Sequence, residues 1–177
     1  VLLVFRMVAT ALNAMHQYGF VHCDIKPNNI LISKSGSIKI IDLGQSCRIG
    51  TTKQRIQGTP DYIAPEQVMR KPLGPKTDIF NLGATMYWAL TGHNVPTMIP
   101  KKVNVGMAVP LPEPCKSPHE IKKLIPVDIS TLVMDCIKDD PIDRPQNMFA
   151  IITRLDEMIH DLLGDKIKVV KNGSSNN

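Results

Sequence analysis

The sequence predicts a mainly α-helical chain carrying one short β-hairpin. Three observations carry this expectation: apolar residues at three-to-four spacing from the first residue onward, two β-branched runs around a Ser/Gly turn, and an apolar stretch from Ile79 to Leu90 closed by Gly92. At 177 residues, 43% of them hydrophobic, the chain can bury one sizeable core but has little room for a second.

Leu2, Phe5, Val8, Ala9, Leu12 and Met15 place an apolar stripe along a helix from Val1 to Tyr18, stopped at Gly19. Phe20-Val21-His22 then enters a loop, because Lys26-Pro27 cannot continue a helix. Ile30-Leu31-Ile32 and Ile38-Lys39-Ile40-Ile41 flank Ser33-Lys34-Ser35-Gly36-Ser37, a hairpin signature that would hold Asn29 and Asp42 at one end. Residues 44–60 show no sustained period and read as a long mobile loop of the kind that carries function. Thr77-Asp78 is expected to cap a buried central helix over Ile79 to Leu90, which includes Phe80, Leu82, Met86, Tyr87 and the single tryptophan, Trp88. Prolines at 96, 100, 110, 112, 114, 118 and 126 forbid long helices in the following stretch. Two helices, about Asp128 to Lys138 and Pro145 to Leu163, complete a domain of residues 1–163. Residues 164–177 form a tail expected to be disordered from Lys171 on. The chain opens directly on a helix, with Val rather than Met first, so it is expected to start inside a domain.

The net charge of +5 comes from 21 basic and 16 acidic residues spread along the chain. It implies a mild bias toward acidic or phosphorylated partners, and no nucleic acid is expected among them. Cysteines 23, 47, 115 and 136 form no C-x-x-C pair and gather no histidines, so neither zinc nor a disulfide framework is expected. A reducing, cytoplasmic setting fits, either for a soluble protein or for the cytosolic part of a larger membrane-linked one. No apolar run approaches a membrane span.

The chemistry is concentrated in three short segments. His22-Cys23-Asp24-Ile25-Lys26-Pro27-Asn28-Asn29 is followed by Asp42-Leu43-Gly44 and by Ala64-Pro65-Glu66. In order and spacing these resemble the catalytic loop, metal loop and activation-segment end of a protein kinase. Residues 1–163 resemble the helical C-terminal lobe of a eukaryotic-like serine/threonine protein kinase, one half of an α+β two-lobe fold whose N-terminal lobe is missing here. The resemblance implies transfer of the ATP γ-phosphoryl group to Ser/Thr hydroxyls of protein substrates, with ATP and Mg²⁺ as cofactors.

By that resemblance Asp24 orients the acceptor hydroxyl and takes its proton, and Lys26 offsets charge on the transferred phosphate. Asn29 and Asp42 are the expected Mg²⁺ ligands and nucleotide contacts, and Leu31 would touch the adenine ring. Thr59, within Gly58-Thr59-Pro60, is expected to bridge toward Asp24 and Lys26. Four residues are expected to serve structure: His22 as a hydrogen-bonded core histidine, Glu66 paired with Arg144, and Asp78 tied to the catalytic-loop backbone. Leu43 replaces the usual phenylalanine and is expected still to pack. Cys23 stands where most kinases carry an arginine that pairs with a phosphorylated activation loop, and Arg55 stands where the phosphoacceptor often lies. Activity that does not depend on such phosphorylation is therefore expected, with Thr51 and Thr52 the remaining acceptors.

No G-x-G-x-x-G loop and no V-A-I-K lysine occurs in the 177 residues, so the piece alone is expected to be inactive. The alternative is a truncated or pseudokinase-like protein-binding module, which has no physical need to keep Asp24, Lys26, Asn29 and Asp42 together. A small-molecule phosphotransferase ranks third, because the Gly58 to Glu66 segment argues against it.

Overall fold

Among the described residues, four helices longer than one turn pack around one core, beside two short β-ladders. The computed structural model describes residues 1–96 and 114–173, with side chains as far as residue 163. Helix α1 (Leu2–Gln17) buries Phe5, Val8, Ala9 and Leu12, the stripe expected from spacing, while Arg6 on its outer face pairs with Asp156. It stops where Tyr18 N–H returns to the Ala14 carbonyl and Gly19 takes φ +81°, a conformation that suits glycine.

Strand β1 (Phe20–Val21) pairs antiparallel with β4 (Cys47–Arg48), and β2 (Ile30–Ile32) pairs with β3 (Ile38–Ile40). The β2–β3 turn closes through Ser33 N–H to Ser37 O and Gly36 N–H to Ser33 O, with Gly36 at φ +82°. One further bond, Ile41 N–H to Asn29 O, extends this pairing and brings Asn29 and the residue before Asp42 to the same end. The segment read as a long loop does contain β4, but two residues are too few to register as a period.

Helix α2 is a single turn (Pro65–Val68), and α3 (Pro75–Thr91) crosses the middle of the molecule. Its start corrects the expectation that Thr77-Asp78 caps it. Pro75, with φ already suited to a first helical residue, opens the helix, and Thr77 Oγ1 accepts the Gly74 N–H from inside. Asp78 is thereby freed from capping and turns to the loop at 22–23. Residues Thr77 to Tyr87 are buried on all sides, but Trp88 is 40% exposed, contrary to its expected place in the core.

Among the described residues of the proline-rich stretch, Pro118 begins a one-turn helix α4 (Pro118–Ile121) and Pro126 precedes α5 (Val127–Cys136). Prolines 100, 110 and 112 lie outside the described residues. Helix α6 (Met148–Gly173) begins later than expected, where the Asn147 side chain accepts the Ala150 N–H. Its backbone runs past the expected end at Leu163, and Ser174 to Asn177 of the expected tail lie outside the described residues.

Helices α3 and α5 approach at Gly83, where an added Cβ would lie 2.5 Å from Cys136 Cβ and 3.0 Å from Ile137 Cγ2. Helix propensity favours alanine over glycine by up to about 1 kcal/mol, while overpacking a core costs about 1–3 kcal/mol. Gly83→Ala is therefore expected to lower the urea midpoint of unfolding, and a raised midpoint would contradict the close approach.

Candidate active site

The loop at 22–29 is fastened before it offers any chemistry. The fully buried Asp78 carboxylate accepts the N–H groups of His22 (2.9 Å) and Cys23 (2.7 Å) and the Nε2 of His16 (2.8 Å). A carboxylate can only accept, so His16 donates. These bonds hold Cys23 at φ +67°, a left-handed conformation that costs a non-glycine residue about 1 kcal/mol or more. His22 is fully buried, takes the Asp24 N–H on Nδ1 (3.3 Å) and contacts the Ile41 carbonyl through Nε2 (3.2 Å). Its ring therefore ties the loop to the strand end that leads into Asp42.

Asp24, next in the chain, is 6% exposed and nearly saturated with donors. Lys26 Nζ reaches Oδ2 at 2.7 Å and Asn29 Nδ2 reaches it at 3.3 Å. Thr59 supplies both its N–H (3.1 Å) and its hydroxyl (2.8 Å) to Oδ1. Lys26 Nζ also donates to Thr59 Oγ1 at 2.7 Å, so the threonine hydroxyl accepts from the ammonium and donates to the carboxylate. The three side chains form a closed triangle, although Thr59 lies far from the other two in sequence. The Lys26 side chain is only 22% exposed, so its charge acts through little water.

Asn29, in a 3₁₀ turn (Pro27–Asn29), spends its amide nitrogen on the Asp24 carbonyl (2.8 Å) and carboxylate, which leaves its carbonyl oxygen as the end suited to a hard cation. Asp42 takes φ +64° and accepts the Gly44 N–H on Oδ1 at 3.2 Å. Two oxygen donors of this kind, at one end of a hairpin and beside a cation-bearing loop, fit a Mg²⁺ ion that keeps several waters and bridges phosphates. Among the described residues no group of three or more His, Cys, Asp or Glu side chains could by itself enclose a metal.

Behind the site Glu66 and Arg144 form a buried bidentate pair at 2.8 and 2.9 Å. The guanidinium has no donor to spare: it also serves the carbonyls of Lys76, Lys138 and Asp139, and it lies over the Phe80 ring at 4.9 Å.

Residues 2–155 match the model of the protein kinase domain. The chain belongs to the protein kinase domain family. A probable serine/threonine-protein kinase of Clostridium acetobutylicum is 32% identical over 167 residues, covering 89% of this chain and 24% of that protein. The serine/threonine-protein kinase PknL of Mycobacterium tuberculosis is 40% identical over 97 residues, 52% of this chain and 24% of PknL. The chain thus spans about a quarter of the length of these curated relatives. The Cydia pomonella granulovirus kinase PK-1 superposes with a TM-score of 0.69 at 24% identity, over 86% of this chain and 56% of that one, which shows a shared kinase fold.

One apolar residue sits differently from expectation: Leu43 is 61% exposed, so it does not pack as a core leucine. Leu31 is 49% exposed on β2. Sequence reasoning also missed the buried Gln67. Its Oε1 accepts from Ala64 N–H (3.0 Å) and Asn81 Nδ2 (3.0 Å), while its Nε2 donates to the carbonyls of Cys23 (2.8 Å) and Gln57 (3.2 Å). The signal was present as a glutamine three residues after Ala64, at the N3 position from which a side chain reaches back to the N-cap N–H. Asn81 and Thr85 follow Asp78 at helical spacing, a polar stripe in an otherwise apolar helix, and Thr85 Oγ1 contacts the Ile25 carbonyl.

Removing one member of a buried ion pair strands the other and costs about 3–5 kcal/mol. Arg144→Ala is expected to reduce unfolding free energy by that order, and Arg144→Lys to recover only a small part, because a point charge cannot reproduce the bidentate fork. Denaturant unfolding of the two variants beside the parent would decide it, and a Lys variant as stable as the parent would contradict the geometric argument.

Proposed function

We propose that this kinase domain transfers the γ-phosphoryl group of Mg-ATP to serine or threonine hydroxyls of protein substrates. The observation that carries the reading is the triangle of Asp24, Lys26 and Thr59. Bound Mg-ATP supplies the phosphoryl group and the divalent charge that offsets it. Asp24 aligns the acceptor hydroxyl and receives its proton on Oδ2, where the 3.3 Å contact from Asn29 is the weakest of the four and the easiest to displace. Lys26 places positive charge where the transferred group accumulates negative charge. Asn29 and Asp42 would hold the metal, and Leu31 presents an exposed apolar face to the adenine. Thr59 fixes the segment that receives the peptide.

Lysine at position 26 and the serine/threonine kinase relatives support hydroxyl acceptors on Ser and Thr rather than on Tyr. No helix among the described residues is long and apolar enough to cross a membrane. A cytoplasmic setting agrees with four cysteines that all remain thiols.

In the product of the complete gene, assayed with Mg-ATP and a Ser/Thr peptide, Asp24→Asn is expected to lower kcat by about 10²- to 10⁴-fold. Equal rates for variant and parent would remove Asp24 from the mechanism. Thr51→Ala combined with Thr52→Ala is expected to leave kcat unchanged, since Cys23 offers no cation for a phosphorylated loop; a large loss would show that the loop does need its phosphate. The 177 residues by themselves lack a glycine-rich phosphate loop and are expected to bind Mg-ATP weakly without turnover. Micromolar affinity in a calorimetric titration would overturn that.

A further inference from the structure

The structure assigns Cys23 and Cys47 as a dithiol modification site, closed to a disulfide by a hydroperoxide, that joins the loop bearing Asp24 to the segment following Asp42. The sulfurs lie 3.8 Å apart. The ladder brings them near: Cys47 stands opposite Val21, two residues before Cys23, and the left-handed turn at Cys23 leaves its side chain in the same cluster. With Val21 and Leu73 they make a small apolar cluster apart from the main core. Neither thiol takes part in the phosphoryl-transfer site described above.

The two sulfurs are unequal. Cys23 is 1% exposed, and burial, followed by the charge of Asp78, pushes its thiol up, so it is a poor first target. Cys47 is half-buried, at the edge of a two-residue strand, with Lys53 a few residues on. Oxidation therefore begins at Cys47. Its thiolate attacks the peroxide, the O–O bond breaks, and Cys47 becomes a sulfenic acid with loss of hydroxide. The Cys23 sulfur then attacks that sulfur; the S–S bond forms, the S–OH bond breaks, and the Cys23 proton leaves with the hydroxide as water. Two thiols lose two electrons and the peroxide gains them.

Closure must draw the sulfurs in to about 2.05 Å. Cys23 is pinned through its N–H by Asp78 and through its carbonyl by Gln67, so most of the movement falls on β4. Strand β4 follows Asp42 by five residues and holds the start of the segment that ends at Thr59. A misplacement of about 1 Å near a reacting group costs on the order of 10²-fold in rate. This consequence for turnover rests on the kinase reading above, whereas the bond itself does not.

The test is peptide mapping by mass spectrometry of the full-length gene product after hydrogen peroxide, with and without dithiothreitol. The expected result is a cross-linked Cys23–Cys47 peptide lighter by two hydrogens, absent from Cys47→Ser. Alongside it, kcat falls at least tenfold in the parent, recovers with dithiothreitol, and resists peroxide in Cys47→Ser. Peroxide that oxidises Cys115 without linking Cys23 to Cys47 would overturn the proposal, as would equal inactivation of parent and Cys47→Ser. Because the map needs no assay of turnover, a cross-linked but catalytically silent protein would sink the kinase reading and leave the disulfide standing.

Discussion

The buried carboxylate of Asp78 is the constraint on which the rest of the site depends. Taking an anion out of water costs several kcal/mol unless donors replace the lost hydration, and here two backbone N–H groups and one imidazole do so. The same bonds that make the charge tolerable fix the loop's path and hold Cys23 in a left-handed conformation. Helix α3 is rigid because it is buried along most of its length, so the loop inherits the rigidity of the core. Asp24 thus has a defined position before any substrate arrives, which is what catalysis by placement and charge requires.

Around that anchor the polar links divide by type. Glu66 and Arg144 use full charges, and every guanidinium donor finds an acceptor, so the pair joins α2 to the loop before α6 without a stranded proton. Gln67 does the neighbouring task with a neutral amide. It meets four partners on the catalytic loop, the segment before Thr59, α2 and α3. An amide suits this place because it must both donate and accept; a carboxylate would repel the Cys23 and Gln57 carbonyls, and an ammonium would leave Ala64 N–H unanswered.

Much of this was legible in the chain, for identifiable reasons. Long periodic elements such as α1 were readable because burial imposes a stripe that spacing reveals, whereas the pairings of Glu66 with Arg144 and of Thr59 with Asp24 were implied by the resemblance to protein kinases. What escaped were features set by tertiary context. Two-residue strands have no period to detect, and the start of α3 was misplaced because Asp78 has the composition of a cap but is drawn inward by the loop. Trp88 and Leu43 failed for a related reason: apolar character predicts burial on average and does not decide it for a single residue. Gln67 could be found only by asking where each backbone donor of a short helix goes.

The cysteine at position 23 follows from the same polar bookkeeping. Its side chain faces Val21, Leu73 and Cys47, a setting in which a guanidinium would be desolvated with no anion to answer it. A thiol is cheap there, but it cannot grip a phosphate, so the segment from residue 44 to 60 must be held otherwise. Besides the bonds of Thr59 to Asp24 and Lys26, its ties include the β1–β4 ladder, Gly50 N–H to Leu73 O, Leu73 N–H to Thr51 O, Gln67 to Gln57 O, Arg70 to Gln54 O and Lys53 to the Gln45 carbonyl. Each such bond contributes only about 0.5–1.5 kcal/mol, so a covalent change at β4 outweighs any one of them.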